Sequence, residues 1–160
     1  MTKIIAIDGP ASVGKSTLAK KLSIKLKSPI LYSGKLYRAI ALEVIRRGIS
    51  QNNIEEILNC VSYIKSDKLD SKELYSSEVD KLSSIISAKK QLRDKLIEFQ
   101  RDFPKNQVGI SKFSIIEGRD IGTVIFPNAD YKIFLWADPK IRAKRRYEQI
   151  RKNDKKASYN

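Results

Sequence analysis

The residues best suited to chemistry lie near the start of the chain, in the stretch Gly9–Ser16, which reads Gly-Pro-Ala-Ser-Val-Gly-Lys-Ser. This stretch matches the pattern G-x-x-x-x-G-K-[ST] at every fixed position. An apolar run, Lys3–Asp8, precedes it and leucines at helical spacing follow it, so it should join a strand to a helix. In that setting, backbone N–H groups and the helix N-terminus point towards phosphate oxygens. The sequence therefore predicts a loop that binds a nucleoside triphosphate.

Single residues of this loop have separable roles. Gly9 and Gly14 permit backbone angles and a close approach that a side chain would prevent. Lys15 should reach the β- and γ-phosphates, the Ser16 hydroxyl can ligate Mg²⁺, and Thr17 can add a hydroxyl near the α-phosphate. The predicted nucleotide-binding residues are Gly9, Pro10, Ala11, Ser12, Val13, Gly14, Lys15, Ser16 and Thr17. ATPases, GTPases and small-molecule kinases share such a loop, so it predicts binding and leaves the reaction open.

Composition limits the classes of protein that remain. A length of 160 residues with 31% charged residues is typical of one soluble globular domain. No apolar run approaches the ~20 residues of a membrane helix, and no signal peptide is evident, so we expect a cytoplasmic protein without a membrane partner. The absence of histidine disfavours metal hydrolase and Ser-His-Asp chemistry. The net charge of +14 attracts anions, but no aromatic-and-basic RNA motif is visible, so we favour a lysine-rich surface over a nucleic-acid partner.

Apolar runs that alternate with amphipathic stretches predict an α/β fold, in which a parallel sheet is covered by helices on both faces. Strands are predicted at 3–8, 29–31, 113–117 and 131–136, and helices at 15–26, 33–47, 54–64, 79–103 and 139–151. The stretch 79–103 is predicted as one long charged helix that Pro104 breaks. Asp138 should cap the last helix, whose first residue is Pro139. The polar stretch 66–77 is predicted as a loop, and Cys60 as a small buried apolar residue.

The class of protein can be narrowed by further motifs. GTPases need a base-reading Asn-Lys-x-Asp motif, which the sequence lacks, whereas a short chain with arginines after its strands suits a small kinase. The segments that follow resemble bacterial cytidylate kinase, in register from the first strand to about Tyr147: Ile7–Pro10, Ser33–Arg38, Gly118–Pro127, Lys132–Leu135, and the arginines Arg142, Arg145 and Arg146. Of these, Gly118–Pro127 is the most specific, because it carries G-R-D-x-G-T-V-x-F-P.

The resemblance implies a P-loop NTPase fold of the nucleoside monophosphate kinase type. A parallel sheet would be flanked by helices, without the last strand and helix of the family. It also implies one kinase domain over 1–160, with a core at 1–32 and 105–138, a helical part that binds the nucleoside monophosphate at about 33–104, and the start of a lid at about 139–160. Family analogy favours a monomer.

The resemblance further implies a reaction and the residues that carry it. The reaction would be in-line transfer of the γ-phosphoryl of ATP, with Mg²⁺ as cofactor, to CMP or dCMP in pyrimidine nucleotide metabolism. The implied catalytic residues are Lys15, Arg119, Arg142 and Arg146, and the implied substrate-binding residues are Ser33, Tyr37, Arg38, Ser84, Arg93, Arg119 and Asp120.

These residues would divide the work by their chemistry. Arg38 and Arg119 would grip the 5′-phosphate of the acceptor, which suits a planar and always charged guanidinium. Ser84, Arg93 and Asp120 would read the cytosine, since a carboxylate accepts from its exocyclic amine and a guanidinium donates to its ring acceptors. Three arginines lie where the lid of the family begins: Arg142, Arg145 and Arg146. Their side chains could close over the ATP phosphates.

The sequence departs from the family pattern in four places. Tyr32 stands where an acid is usual, and Glu117 stands where aspartate is common, although Glu117 can still serve as an acidic group near Mg²⁺. The stretch 66–77 is shorter than the strand-rich insert of many members. The chain also stops at Asn160, where the family continues with an R-D-x-x-D-x-x-R helix, a last strand and a last helix. We therefore expect a shortened protein, a gene fragment or one part of a split protein.

Three other hypotheses stay open at this stage. The chain could be another small P-loop kinase, acting on shikimate or on a different nucleotide. It could be a remnant that binds nucleotide without turnover, which the missing C-terminal segment would favour. It could also be a basic RNA-binding module, which a steep salt dependence of RNA binding would reveal.

Overall fold

The predicted parallel sheet is present in the computed structural model, which describes residues 2–64 and 69–153. The described residues form four strands: β1 (Lys3–Asp8), β2 (Ile30–Tyr32), β3 (Phe113–Gly118) and β4 (Tyr131–Phe134). Their order is β2-β3-β1-β4, and each neighbouring pair is parallel. Asp8 is in register with Gly118 on one side and Phe134 on the other, so the carboxyl ends of three strands meet at one edge. Ligands of α/β proteins commonly bind at such an edge.

Six α-helices lie among the described residues: α1 (Lys15–Leu26), α2 (Ser33–Arg46), α3 (Ile54–Asn59), α4 (Ser77–Ile86), α5 (Lys90–Lys105) and α6 (Pro139–Asn153). Shorter helical turns are Cys60–Tyr63, Lys72–Tyr75 and the π-helical turn Ile121–Ile125. The predicted α/β fold, a parallel sheet flanked by helices, is confirmed. None of the described helices is both long and apolar enough to cross a bilayer.

The prediction of one helix over 79–103 is wrong. Helix α4 ends at Ile86, and α5 begins at Lys90. The buried positions explain the break, because α4 buries Val79 and Ile86 while α5 buries Leu92 and Leu96. A continuous helix would carry the buried stripe of α4 on to positions 90 and 93, where the chain has charged residues. The two stripes are therefore out of phase, and a turn has to separate them.

Other differences concern the ends of elements. Pro104 lies inside α5 one residue before its end, where the missing N–H removes one hydrogen bond of the last turn. The stretch 54–64 is helical to residue 59 and then tightens into the turn Cys60–Tyr63. Part of the predicted loop 66–77 lies outside the described residues, and the remainder contains the turn Lys72–Tyr75. The predicted cap of α6 is confirmed, since Asp138 Oδ1 accepts from the N–H of Lys140 at 2.8 Å.

The described residues fall into two compact units, one formed by residues up to Ser33 and from Gln100 onward, the other by Gly34–Phe99. The first unit contains the sheet, and its core forms where α1 packs on β1 and β3. Ile5, Ile7 and Ile115 are buried there against Ala19 of α1. Burial of these apolar side chains fixes the direction in which α1 leaves the edge of the sheet.

The second unit is helical and has its own buried residues. Helix α2 buries Leu36, Ile40 and Val44, which are spaced four residues apart on one face. Cys60 is also buried, and burial raises the pKa of its thiol. The interpretation of Cys60 as a small buried residue is therefore confirmed. Within this unit, ion pairs join α2 to the segment that follows residue 68, as described below.

Strand β3 ends at Gly118, where the backbone lies close to Ser33. A substitution at Gly118 can test how tightly this edge of the sheet is packed. A Cβ at position 118 would lie 2.7 Å from Ser33 Cβ and 3.0 Å from Ile121 Cδ1. Because overpacking of this kind costs about 1–3 kcal/mol, we expect Gly118→Ala to lower the free energy of unfolding by that amount in urea titrations.

The matched control is Gly34→Ala in the first turn of α2, where an added Cβ meets nothing within 4 Å. This substitution should leave stability unchanged or raise it by up to about 1 kcal/mol. Equal stability of the two alanine variants would contradict the tight contact at Gly118.

Candidate active site

The loop between β1 and α1 has the backbone of a phosphate-binding loop. Gly9 and Gly14 have φ angles of 146° and 106°, and Ser12 adopts a φ of 60°. A Cβ at Gly9 would lie 2.3 Å from the carbonyl oxygen of Leu135, so only glycine fits beside the end of β4. Helix α1 then begins at Lys15 with Gly14 as its N-cap, so no side chain caps its first turn. The N–H groups of that turn are therefore available to an anion.

Lys15 lies among charged groups at the carboxyl ends of β1 and β3. Its Nζ donates to the carbonyl oxygen of Pro10 at 2.8 Å. Burial lowers the pKa of Lys15 and is the largest effect. The negative charges of Glu117 and Asp8 raise this pKa, and the positive charge of Arg119 lowers it. The structure thus brings together two predicted catalytic residues, Lys15 and Arg119, with two carboxylates. Burial of the ammonium group therefore has a free-energy cost, which a neighbouring anion would reduce.

Ser16 and Glu117 form the oxygen-rich part of this edge. The Ser16 hydroxyl donates to Glu117 Oε1 at 3.3 Å, and Glu117 is buried at the end of β3. A hydroxyl and a carboxylate are hard oxygen ligands of the kind that Mg²⁺ prefers. Within residues 2–64 and 69–153, no group of three or more carboxylate, thiol or imidazole side chains could cage a metal. A Mg²⁺ ion at Ser16 and Glu117 would therefore complete its shell with phosphate oxygens and water, as this ion commonly does.

Asp8 is a site residue that the sequence reasoning missed. Its Oδ1 accepts from the N–H of Ile121 and its Oδ2 from the N–H of Gly122, both at 2.7 Å. These N–H groups open the π-helical turn that follows Arg119 and Asp120. The carboxylate therefore ties the end of β1 to the segment that carries the two predicted substrate residues. The signal in the sequence was a carboxylate at the end of a buried strand, since such a group needs hydrogen-bond donors.

Arg101 holds the other end of the same turn and was also missed. Its Nε donates to the carbonyl of Ile125 at 3.0 Å, and its Nη2 donates to the carbonyl of Val124 at 3.1 Å. Carbonyl groups at the end of a helical turn lack partners within the turn, so a guanidinium satisfies them. Immediately before the first of these anchors, Arg119 and Asp120 are exposed, and Asp120 has a left-handed φ of 58°.

Helix α6 carries the three arginines that were assigned to the lid. Arg145 Nη1 donates to the carbonyl of Val13 in the phosphate loop at 3.4 Å. Arg142 Nε instead donates to Ala137, just before its own helix, at 3.2 Å. Arg146 is half-buried. The structure therefore brings Arg145 to the loop, and the catalytic roles of Arg142 and Arg146 stay predictions.

The remaining predicted substrate residues divide between the two units. Ser33 is buried in the first unit beside Gly118. Tyr37 and Arg38 are half-buried on α2 in the second unit, where Arg38 forms an ion pair with Asp80. Ser84 is exposed on α4 and donates to the carbonyl of Asp80 at 3.0 Å. Arg93 is exposed on α5. Within the second unit, Arg38 and Ser84 thus meet at one residue, Asp80.

The clamp made by Asp8 leads to a prediction about stability. In Asp8→Asn, one of the two backbone donors would face an amide NH₂ instead of an acceptor. Because a buried donor without a partner costs about 1–3 kcal/mol, we expect a loss of that size in the free energy of unfolding measured in urea.

Asp130→Asn is the control, because Asp130 accepts from the N–H of Ile4 at 2.8 Å and an asparagine oxygen can still accept this hydrogen bond. Its loss should stay below about 0.5 kcal/mol, as for most surface substitutions. Losses of equal size in the two variants would rule out a two-donor clamp at Asp8.

The lowered pKa of Lys15 predicts how stability changes with pH. The folded protein releases the Lys15 proton at lower pH than the unfolded chain, so it binds fewer protons between the lowered pKa and 10.5. Stability attributable to this group should therefore rise with pH across that window and stay constant below it. Lys15→Met and Lys15→Arg should both lack this rise, since neither side chain titrates there. Urea unfolding at pH 7 to 10 measures the difference, and parallel profiles for all three proteins would contradict it.

Comparison with known proteins gives the family. The cytidylate kinase family model matches residues 5–160. The chain is 37% identical to cytidylate kinase of Rhodospirillum rubrum, over 92% of this chain and 70% of that protein. It is 34% identical to cytidylate kinase of Clostridium tetani, over 99% of this chain and 73% of that protein. It is 38% identical to cytidylate kinase of Chlorobaculum tepidum, over 92% of this chain and 66% of that protein, and is thus shorter than these relatives. The chain belongs to the cytidylate kinase family.

Proposed function

We propose that this protein transfers the γ-phosphoryl group of ATP to CMP or dCMP, giving ADP and CDP or dCDP. The observation that carries the proposal is the phosphate loop Gly9–Ser16, placed at the carboxyl edge of the sheet beside Arg119 and Asp120, in a member of the cytidylate kinase family. Family membership supports phosphorylation of CMP, and the loop supports a nucleoside triphosphate as the donor.

The donor would lie along the loop and the first turn of α1. Backbone N–H groups of the loop would donate to phosphate oxygens, and the Lys15 ammonium would stabilise charge on the β- and γ-phosphates. Lys15 is held in place before the nucleotide arrives, because its Nζ donates to the carbonyl of Pro10. Phosphate oxygens would replace this neutral partner with charged ones, which raises the pKa of Lys15 again.

Mg²⁺ would be held by Ser16, with Glu117 as the neighbouring carboxylate. When bound, the ion neutralises negative charge that develops on the transferring phosphoryl group. Ser16 and Glu117 are positioned by different elements, the start of α1 and the end of β3. Their hydrogen bond keeps the two oxygen ligands on the same side of the loop.

The acceptor residues are assigned from the family resemblance. Arg38 and Arg119 would bind the phosphate of CMP, and Asp120 would accept from the cytosine amine, with Ser84 and Arg93 as further base contacts. An oxygen of the CMP phosphate forms a bond to the γ-phosphorus while the bond from that phosphorus to the β-phosphate oxygen breaks, and ADP leaves. No covalent bond to the enzyme forms, so positioning and charge stabilisation supply the rate.

Turnover on a panel of acceptors tests this proposal. ADP release is measured with ATP, Mg²⁺ and each of CMP, dCMP, UMP, AMP and shikimate. We expect turnover on CMP and dCMP, and a loss of about 10²-fold or more in Lys15→Ala, since the ammonium group contributes charge stabilisation in the transition state. If only another acceptor is phosphorylated, the proposed substrate CMP would be wrong and that acceptor would be the substrate.

ATP binding without turnover would distinguish a nucleotide-binding remnant from a kinase. ATP binding by wild type, lost in Lys15→Ala, together with silence across the whole panel, would contradict the kinase proposal and leave a nucleotide-binding protein. Repeating the panel without Mg²⁺ tests the cofactor, because turnover that persists in excess chelator would exclude a role for the ion.

A further inference from the structure

Arg38 is held on three sides within the helical unit. Its Nη2 forms an ion pair with Asp80 Oδ1, and its Nη1 donates to the carbonyl of Leu74 at 3.0 Å. The ring of Tyr75 lies 5.4 Å from the Arg38 Cζ, within the range of a cation–π contact. These partners come from the turn Lys72–Tyr75 and from α4, so the chain folds back along α2 to enclose this one guanidinium.

The pair with Asp80 differs from the two ion pairs that Lys35 and Arg46 of the same helix form. Lys35 pairs with Asp70 at 2.6 Å and Arg46 pairs with Glu73 at 2.7 Å, but Asp70 and Glu73 are largely exposed. The side chains of Arg38 and Asp80 are only 18% and 29% exposed. Exposed pairs contribute little because water screens them, whereas a shielded pair fixes geometry more strongly.

We propose that Asp80 is a positioning residue for Arg38, holding its guanidinium ready to bind the phosphate of the acceptor nucleotide; this inference rests on the proposed function. A guanidinium has five N–H donors, and the two contacts above occupy one on each terminal nitrogen. Within the part of the chain that the structure describes, Nε–H and one N–H on each terminal nitrogen are left to donate to a phosphate. Asp80 and the phosphate can therefore bind Arg38 at the same time.

Positioning matters because arginine is a flexible side chain. If the side chain becomes ordered only when the ligand binds, the lost conformational entropy weakens the affinity. A side chain that is ordered beforehand avoids this loss. Asp80 supplies the order through a charged hydrogen bond, which is stronger and more directional than a neutral one. The carboxylate itself would repel the phosphate, so the proposal requires that the gain in order exceeds this repulsion.

Substitutions at Asp80 test the proposal, with Asp70→Asn as the matched control, since Asp70 pairs with Lys35 on the same helix and does not contact Arg38. We expect Asp80→Ala to raise the KM for CMP about five- to tenfold, the effect of having to order one long side chain on binding. The kcat and the KM for ATP should change less than about twofold. Asp80→Asn, which keeps the shape and one oxygen acceptor, should recover part of the loss, and Asp70→Asn should match wild type.

A double variant separates positioning from a general structural role. In an Arg38→Ala background, calorimetric titration with CMP should show that Asp80→Ala adds less than about a twofold loss of affinity, because its target is gone. The same five- to tenfold loss in that background would overturn the proposal. Tighter binding of CMP by Asp80→Ala alone would also overturn it, and would make Asp80 a competitor of the phosphate.

A readout without turnover distinguishes this inference from the proposed function. In nitrogen-labelled protein without nucleotide, the Arg38 Nε–H resonance, assigned from its loss in Arg38→Lys, should be resolved in wild type and broadened or shifted to the solvent-exposed position in Asp80→Ala. An unchanged resonance in Asp80→Ala would overturn the positioning role even if CMP is phosphorylated. If the resonance is lost in Asp80→Ala and wild type shows no turnover, the ordering of Arg38 by Asp80 would stand. The kinase activity would then be contradicted.

Discussion

The carboxylate of Asp8 is the interaction on which the arrangement of the site depends. It stands at the end of β1, where the phosphate loop begins, and it accepts two backbone N–H groups from the turn that follows β3. Each is a hydrogen bond to a charged acceptor, so the pair is stronger than a neutral contact of the same length. Since Gly9 lies against the carbonyl of Leu135, the end of β4 is fixed to the same point. The donor loop and the Arg119–Asp120 segment are therefore positioned together.

Much of this fold could be predicted from the sequence, because its elements are set by local patterns. The strand Lys3–Asp8 and the helix Lys15–Leu26 have the predicted bounds, since a buried apolar run is followed by a glycine-rich loop and then by leucines on one helical face. The Asp138 cap could be predicted for the same reason, as capping needs only the residues next to the helix end. Lys15, Ser16 and Arg119 meet at one edge because parallel strands bring their carboxyl ends together.

Features that join distant parts of the chain could not be read in this way. The clamp of Asp8 spans more than a hundred residues, and Arg101 reaches the turn that ends at Ile125. The position of Asp8 at the end of a buried strand indicates that it needs donors, but the residues near it do not indicate which backbone groups supply them. The residues near Arg101 do not indicate its carbonyl partners either. The break between α4 and α5 was missed for a different reason, since no glycine or proline marks it and only the phase of the buried residues changes. The contact of Arg145 with Val13 could not be predicted either, because the rotation of α6 about its axis depends on packing.

The charges at the edge of the sheet show how such a site trades stability for binding. Lys15 loses hydration on folding and gains one neutral acceptor, the carbonyl of Pro10, while Arg119 repels it and two carboxylates attract it. These effects leave the ammonium group less favourable in the folded protein than in water, as its lowered pKa indicates. A bound phosphate, as proposed for the donor nucleotide, would supply negative charge at this point. The same burial that destabilises the ammonium group would therefore strengthen its attraction for an anion, because the interaction is screened less by water.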